Sequence, residues 1–427
     1  MNHYKIVTLS NGFTYVTLKN NHISHCILLL LLGVGSVYEN KEQSGISHFL
    51  EHIPFKGTKK WKNVNDLTYL LDTLGTDTNA FTDKETTGYH IKISKQYASQ
   101  GLEILYDLVL RPTLEKKNIE LERNVILEEY RKGLDEPEHI IDELLHQTIF
   151  KGHPLSNSVI GTKKTIETIT SSDIQKYHKK NYLLSNMKLV IVGNYPNKIH
   201  TQIKKMFSQK YEPSPLKQTQ FLYSSKKPTI LFKKKDNLER TCISVSFPTI
   251  SYNHPDRYIL EMIGTYLGSG MSSRLFTELR EKKSLVYNVF SDQYSYYKGG
   301  YFEIGTCLNH KNIEDSINII IKELQKLKKN KIKKKELDKC YHLIKGNIQI
   351  SSEDITSIAE FYAYQLLYAK KIINYKKLFH HFRKITQEDI LRVANQYFVM
   401  DHVHIFIYGQ TTKKTIERIH QMIKMLK

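Results

Sequence analysis

The chain has 427 residues, of which 40% are hydrophobic, and its formal net charge is +20. This length is enough for two or more hydrophobic cores, so we expect a globular protein of more than one domain. No stretch approaches the roughly 18 apolar residues of a membrane-spanning helix. The positive charge lacks the aromatic interleaving and the helix-turn-helix pattern of a nucleic-acid-binding protein. We therefore expect no membrane and no nucleic-acid partner.

The N-terminal residues move directly into a strand-like segment at 6–9. This leaves no room for a signal or transit peptide and predicts a cytoplasmic location. The four cysteines, Cys26, Cys242, Cys307 and Cys340, are widely scattered and lack metal-binding spacing. We expect them to be reduced thiols.

An apolar run at 26–32 is followed by a glycine-containing loop and then by the segment His-Phe-Leu-Glu-His at 48–52. The run and the loop predict a strand that leads into a helix. On that helix His48 and His52 lie one turn apart on one face, and Glu51 lies about 60° from His48. The pattern H-x-x-E-H is the inverted zinc-hydrolase signature, in which one helix supplies two ligands and a base. In a chain with 19 histidines the pattern can also arise by chance.

A catalytic zinc usually takes three protein ligands, so a third ligand must come from elsewhere in the chain. Glu122 and Glu129 lie two turns apart on one face of a predicted helix, and Glu128 points about 100° away from Glu129. We assign Glu129 as the third ligand. Glu122 then orients His48 or His52 through the second ring nitrogen. The alternative is a solvated acidic helix face.

The remaining sequence mixes strand runs with helices. Apolar runs at 188–192, 229–232 and 242–247 predict strands, and amphipathic periodicity at 140–150 and 355–368 predicts helices. The elements occur in runs without strict alternation, which indicates an α+β fold.

Taken together, the motifs resemble the pitrilysin family of zinc metallopeptidases, which includes insulin-degrading enzyme and the mitochondrial processing peptidase. The resemblance covers almost the whole chain and departs mildly at Ile53-Pro54. The matching segments are 9–12 (Leu-Ser-Asn-Gly), 48–52 with Phe55-Lys56-Gly57-Thr58, 79–82 (Asn-Ala-Phe-Thr), Glu122 with Glu129, His153-Pro154 through Gly161-Thr162, Ser272 to Phe276, Leu279 to Lys282, and Leu285 to Tyr287.

The resemblance implies one Zn²⁺ per chain, held by His48, His52 and Glu129, with Glu51 as the catalytic base. It also implies further contacts with a peptide substrate. Asn79, Ala80 and Phe81 resemble the edge strand of the family, which pairs with an extended peptide by backbone hydrogen bonds. Arg280 and Tyr287 resemble a pair that contacts substrate and stabilises the developing oxyanion. Without the resemblance, the segment from Asn79 would be interpreted as an ordinary strand end. Arg280 and Tyr287 would be interpreted as a plain helix-face pair.

A weak internal repeat supports two similar halves. A gapless offset of 212 places residues 88–93 on 300–305. The same offset places His48 on Leu260, Glu51 on Ile263 and His52 on Gly264, so the second copy lacks the metal ligands. A proline-containing linker is predicted at 211–228. We therefore predict two homologous domains, a zinc-binding domain at 1–220 and a domain with the Arg/Tyr pair at 221–427, each a mostly antiparallel sheet with helices on one face.

The function expected from these features is that of a zinc endopeptidase acting on peptides or unfolded segments in a closed chamber. Two alternatives remain open: a leader- or presequence-processing peptidase that works with a partner subunit, and a non-catalytic core or scaffold subunit. In larger members of the family the Arg/Tyr pair comes from the far half of a four-domain chamber. A two-domain chain therefore predicts a homodimer, or a heterodimer with a related subunit, in which each subunit completes the site of the other.

Overall fold

The computed structural model describes residues 4–209, 221, 223, 227–369 and 371–425. The linker predicted at 211–228, and with it the boundary near 220, falls largely outside the described residues. Within the described residues no helix is both long enough and apolar enough to cross a bilayer.

The described residues form eleven strands and fifteen α-helices. The strands are β1 (Tyr4–Thr8), β2 (Thr14–Lys19), β3 (His25–Leu32), β4 (Asp77–Thr82), β5 (Thr87–Ser94), β6 (Met187–Gly193), β7 (Thr229–Lys234), β8 (Thr241–Thr249), β9 (Phe290–Ser295), β10 (Gly300–Leu308) and β11 (His404–Gly409). The helices are α1 (Ile46–His52), α2 (Val64–Thr73), α3 (Ala98–Leu110), α4 (Lys116–Asp135), α5 (Pro137–Ile149), α6 (Lys163–Thr168), α7 (Ser171–Asn181), α8 (Ile199–Phe207), α9 (Arg257–Gly268), α10 (Ile313–Lys329), α11 (Lys334–Ser351), α12 (Ile355–Tyr368), α13 (Tyr375–Arg383), α14 (Gln387–Tyr397) and α15 (Lys413–Lys424).

Two sheets organise these elements. The first has the strand order β1-β2-β6-β3-β5-β4, and the second has the order β7-β11-β8-β10-β9. The pairs β2–β6 and β7–β11 are parallel, and all other neighbouring pairs of described strands are antiparallel. The series β2-β6-β3-β5-β4 of the first sheet has the same pattern of parallel and antiparallel neighbours as the series β7-β11-β8-β10-β9 of the second. The predicted α+β class with mostly antiparallel sheets is confirmed.

One detail of strand pairing recurs in both sheets. Phe81 on β4 lies opposite Gly88 on β5, and a side chain at Gly88 would come within 2.3 Å of the Phe81 ring. Phe290 on β9 lies opposite Gly305 on β10 in the same way, again at 2.3 Å. Gly305 therefore holds the position of Gly88 in the second sheet, whereas the gapless offset of 212 had placed Gly300 there.

The described residues divide into two compact units that each combine separate stretches of chain. The first unit comprises described residues within Met1–Lys132, Asn157–Gln218 and Ile350–Ile372. The second comprises those within Gly133–Ser156, Thr219–Gln349 and Ile373–Lys427. The predicted domains, 1–220 and 221–427, are contiguous, whereas the two units are not. Helices α5 and α12 each belong to the unit formed mainly by the other half of the sequence.

In the first unit, α12 explains why β3 is apolar along its whole length. Alternate side chains of β3 point into two different cores, and the burial of Cys26 to Leu32 is nearly complete. The larger core contains α1 and α3, and the smaller one is closed by Ile355, Ala359, Tyr362 and Ala363 of α12. The helices predicted for one face of this sheet are therefore joined by a helix on the opposite face.

The cysteine prediction is wrong for two of the four residues. Cys242 on β8 and Cys307 on β10 lie directly opposite each other and form a disulfide bond across 65 residues of sequence. Nothing in their sequence spacing signals this pair, because the pairing of the two strands creates it. Cys26 and Cys340 are free, as predicted, and both are buried.

Candidate active site

The helix that carries the H-x-x-E-H motif is held at its N-terminus by a carboxylate from the preceding loop. Gly45 precedes α1 with a left-handed φ of 97°, and a Cβ there would lie 2.5 Å from the carbonyl oxygen of Ile160. The two carboxylate oxygens of buried Glu39 accept hydrogen bonds from the backbone N–H groups of Gly45 (2.7 Å) and Ser47 (2.8 Å). These two bonds give partners to backbone N–H groups at the start of the helix.

The three predicted ligands converge in the first unit. The Nε2 atoms of His48 and His52 lie 3.7 and 3.6 Å from Glu129 Oε2. One donor atom from each of the three residues lies within 4.8 Å of the other two. His48 is nearly buried, whereas Glu129 is about half exposed at 49%. The set is therefore open to solvent on the α4 side.

Glu122 contacts His52 rather than His48. The Nδ1–H group of His52 donates to Glu122 Oε1 at 3.0 Å, which directs Nε2 toward Glu129. Lys56 lies at the second carboxylate oxygen, with Nζ 2.6 Å from Glu122 Oε2. The sequence left open which histidine Glu122 would orient, and it did not identify Lys56 as a partner. Only its position one turn after His52 could have suggested that role.

A buried arginine sets the position of α4. The guanidinium of Arg123 donates hydrogen bonds to the carbonyl oxygens of Ile166 and Ile169, the latter at 2.7 Å. It also lies 5.5 Å from the ring centre of Phe49 on α1. Arg123 therefore connects the helix of Glu129, the helix of the two histidines and the end of α6. Sequence reasoning missed it, because its partners are backbone carbonyls about 45 residues away.

The pKa values of the two histidines shift in opposite directions. Burial, together with neighbouring His52, lowers the pKa of His48 to about 3, so this imidazole is neutral and free to bind a metal. Burial would also lower the pKa of His52, but its hydrogen bond to Glu122 and the three nearby carboxylates of Glu51, Glu122 and Glu129 raise it overall. For Glu122, burial would raise the pKa, but its contacts with His52 and Lys56 outweigh burial and lower it.

Glu51 borders the donor set as a mostly buried carboxylate. Its Oε2 lies 3.9 Å from His48 Nε2, and its side chain is 18% exposed. Burial raises its pKa, and the neighbouring carboxylate of Glu129 adds to this effect. A carboxylate whose pKa is raised toward neutrality is suited to accept and return a proton.

The donor set fits a zinc ion. Two neutral imidazole nitrogens and one carboxylate oxygen are the ligands of many catalytic zinc sites. The hydrogen bond from His52 to a carboxylate is the arrangement that fixes such a ligand in orientation. Nδ1 of His48 is buried and has no hydrogen-bond partner among the described residues, which leaves Nε2 as the atom directed at the other two donors.

The predicted substrate-binding residues Asn79, Ala80 and Phe81 lie on β4. Among the described strands, β4 is an edge strand of the first sheet, and α1 packs against it. The backbone edge of β4 that faces away from β5 is thus available for pairing with an extended peptide.

Arg280 and Tyr287 lie together in the second unit. The Arg280 guanidinium lies 5.0 Å from the ring centre of Tyr287 and 4.7 Å from that of Phe276. Tyr287 is 70% exposed. The second unit also holds the three positions that the offset of 212 had aligned with the motif, Leu260, Ile263 and Gly264. All three are buried on α9 and bear no metal-binding side chain.

Comparison with known proteins gives a consistent result along the chain. Residues 15–163 match the model of the insulinase family, peptidase family M16, and residues 168–342 match that of the peptidase M16 inactive domain. An uncharacterized zinc protease of Rickettsia bellii is 29% identical over 399 residues, which cover 92% of this chain and 95% of that protein. Mitochondrial-processing peptidase subunit beta of Saccharomyces cerevisiae is 27% identical, with 95% of this chain and 90% of that protein covered.

A solved structure agrees with these sequence matches. The crystal structure of a protease from Helicobacter pylori is 26% identical and has a TM-score of 0.89, covering 96% of this chain and 100% of that one. Both family models, the relatives and this structure agree with the resemblance that the motifs indicated. The chain belongs to the peptidase M16 family and is a short, two-domain member of it.

Proposed function

We propose that this protein is a zinc-dependent endopeptidase that hydrolyses peptides or unfolded segments. The observation that carries the proposal is the convergence of His48, His52 and Glu129, with donor atoms within 4.8 Å of one another. His48, His52 and Glu129 would hold the ion. A bound zinc ion supplies Lewis-acid chemistry that polarises the scissile carbonyl and makes water a stronger nucleophile.

The side chains around the donor set have distinct tasks in this proposal. The Glu51 carboxylate takes a proton from the attacking water and delivers it to the leaving amine. Glu122 holds His52 in the tautomer that leaves Nε2 free. The edge of β4 orients the peptide backbone, and because backbone pairing tolerates varied side chains, we expect broad sequence preference.

The experiment combines two substitutions in purified full-length protein. We expect Glu51→Gln to lower kcat by about 10²- to 10⁴-fold while one zinc ion per chain is retained. We expect His48→Ala to lose both zinc and activity. Bound zinc is measured by elemental analysis. Peptide hydrolysis is measured with a quenched fluorescent peptide library. Undiminished turnover by Glu51→Gln, or wild-type protein that refolds without binding zinc, would refute the proposal.

A second candidate is a dedicated processing peptidase that removes a leader segment together with a related subunit. The similarity to a protein named as the beta subunit of a processing peptidase favours it. Comparing kcat/KM for random peptides with that for a candidate precursor, alone and with co-purified partners, separates the two functions. The non-catalytic scaffold has less support, because a scaffold has no need for four intact residues at one site.

A further inference from the structure

The Cys242–Cys307 bond joins two strands that are also paired with each other through their backbones. In the second sheet β8 lies between β11 and β10, and β10 lies between β8 and β9. Cys242 and Cys307 lie opposite each other in a register of nine consecutive residue pairs between β8 and β10. Because backbone hydrogen bonds hold both strands on both sides, the bond between the sulfurs can open while the strands stay paired.

The two sulfurs differ in their exposure. Cys242 is 4% exposed, whereas Cys307 is half-buried. Both residues line a cavity of about 350 Å³ in the second unit. A small thiol that enters this cavity meets Cys307 first, and access of this kind decides which sulfur of a disulfide is attacked.

A carboxylate next to Cys307 is suited to the reduced state. Glu138 Oε1 lies 3.3 Å from Cys307 Sγ, at the start of α5. In the disulfide state the sulfur has no hydrogen to donate, so this is a contact only. After reduction the Cys307 S–H group would donate to the carboxylate without any movement of the backbone. The surroundings therefore accommodate both oxidation states.

We propose that Cys242 and Cys307 form a reversible redox site that opens by exchange with a low-molecular-weight thiol. The thiolate of the small thiol attacks Cys307 Sγ, the S–S bond breaks, and Cys242 leaves as a thiolate that takes a proton from water. A second small thiolate attacks the outer sulfur of the mixed disulfide and releases Cys307. The protein gains two electrons and two protons, and the small thiol leaves as its disulfide.

The position of this site couples it to peptide binding, a consequence that rests on the proposed function. Tyr287, Phe290 and Tyr294 line the same cavity as the two cysteines. Tyr287 is one of the two residues for which the family resemblance implies a contact with substrate. An adduct on Cys307 occupies the space beside it, so we expect the mixed disulfide to lower kcat/KM for peptides several-fold.

The test is alkylation of the native, full-length protein by iodoacetamide after equilibration with mixtures of reduced and oxidised glutathione. Mass mapping reads the labelled cysteines. Without reductant we expect no native labelling of Cys242 or Cys307. With reductant we expect Cys307 to react at least about tenfold faster than Cys242, because it is more accessible. Cys26 and Cys340 are fully buried, burial raises the pKa of each to about 12, and they should react only in denaturant.

Two outcomes overturn the redox site: native labelling of Cys307 in the absence of reductant, or a bond that persists in excess reduced glutathione. Cys242→Ser isolates Cys307, which should then form a mixed disulfide with oxidised glutathione. Cys340→Ser is the matched control and should gain no adduct. Thermal melting verifies that both variants fold.

To test the coupling, peptide hydrolysis is measured for the glutathione adduct of Cys242→Ser, before and after a reductant removes the adduct. An unchanged kcat/KM for peptides overturns the coupling to peptide binding. If neither form hydrolyses any peptide, the proposed function fails, and the alkylation pattern still decides whether the redox site exists.

Discussion

Glu122 is the residue whose role at the site can be measured without any turnover. It is nearly buried and contacts His52 on one oxygen and Lys56 on the other. We expect Glu122→Ala to weaken zinc binding by about 10- to 100-fold, because His52 loses the acceptor that fixes its tautomer and orientation. Competition with a chelator of known affinity gives the dissociation constant.

Glu128 provides the matched control for that measurement. It lies on the same helix as Glu122 and Glu129 but is 72% exposed and pairs with Arg131 at the surface. Glu128→Ala should retain wild-type zinc affinity. Equal affinities for wild type, Glu122→Ala and Glu128→Ala would show that Glu122 does not position His52.

His404 on β11 predicts a defined loss of stability in mild acid. It is 1% exposed, and its Nε2 lies 2.7 Å from the hydroxyl of Tyr223. Burial and the neighbouring His402 lower its pKa to about 4. An unfolded histidine titrates at about 6.5, so between these values the unfolded chain binds more protons than the folded one. The stabilisation is present above about pH 6.5 and is lost as the pH falls toward 4.

The expected slope is up to about 1.4 kcal/mol per pH unit from this residue. His404→Gln should flatten the pH dependence by that amount when denaturant unfolding is measured between about pH 7 and about pH 5. Exposed His420 serves as control, and His420→Gln should leave the slope unchanged. A slope in His404→Gln equal to that of wild type would contradict the prediction.

Residue spacing could predict the donor set because the two histidines share a helix turn and the two glutamates share a helix face. It could not predict Glu39 or Arg123. Glu39 caps α1 from a loop, and Arg123 binds carbonyl groups of a distant segment, so neither contact follows any periodicity. These positioning contacts depend on tertiary structure, so the local spacing of residues in the sequence does not predict them.

At the level of elements, the contacts of Arg123 fix α4 against α6 and α1. We expect Arg123→Met to lower the free energy of unfolding by about 2 to 3 kcal/mol, because two carbonyl groups lose their donors. Zinc should also be bound more weakly, since Glu129 moves with α4. Denaturant unfolding and chelator competition measure the two effects.

Arg131 lies two turns further along the same helix, is 57% exposed and pairs only with Glu128 among the described carboxylates. Arg131→Met should change stability by less than about 0.5 kcal/mol. A similar loss in both variants would indicate that helix propensity, rather than the contacts of Arg123, accounts for the effect.

The strands and helices predicted from periodicity at 188–192, 229–232, 242–247, 140–150 and 355–368 are all present, as β6, β7, β8, α5 and α12. Their partners could not be predicted in the same way. The burial of α12 against β3 and β6 joins residues more than 150 positions apart. Periodicity shows that a helix has an apolar face, but it does not identify the sheet that the face covers.

At the scale of the whole molecule, the proposed dimer can be tested by mixing subunits. Glu51→Gln lacks the base, and Arg280→Ala lacks the proposed substrate contact, so each should be inactive alone. If each subunit completes the site of the other, a mixed dimer contains one intact site, and co-refolding equal amounts should restore about a quarter of wild-type activity. Peptide turnover and sedimentation of the mixture measure the result.

If Arg280 instead serves the site of its own chain, the mixture contains no intact site and stays inactive. Refolding each variant alone provides the baseline. A protein that sediments as a monomer with full activity would also exclude the dimer.

Because α12 belongs to the first unit but lies late in the sequence, that unit cannot fold completely early in synthesis of the chain. The apolar inner face of β2, β3 and β6 remains uncovered until α12, at Ile355–Tyr368, has left the ribosome. Most of the polypeptide must therefore be translated before the metal-binding half can close its smaller core. Such a nascent chain exposes an apolar surface for much of its elongation, and transiently exposed apolar surface of this kind favours aggregation.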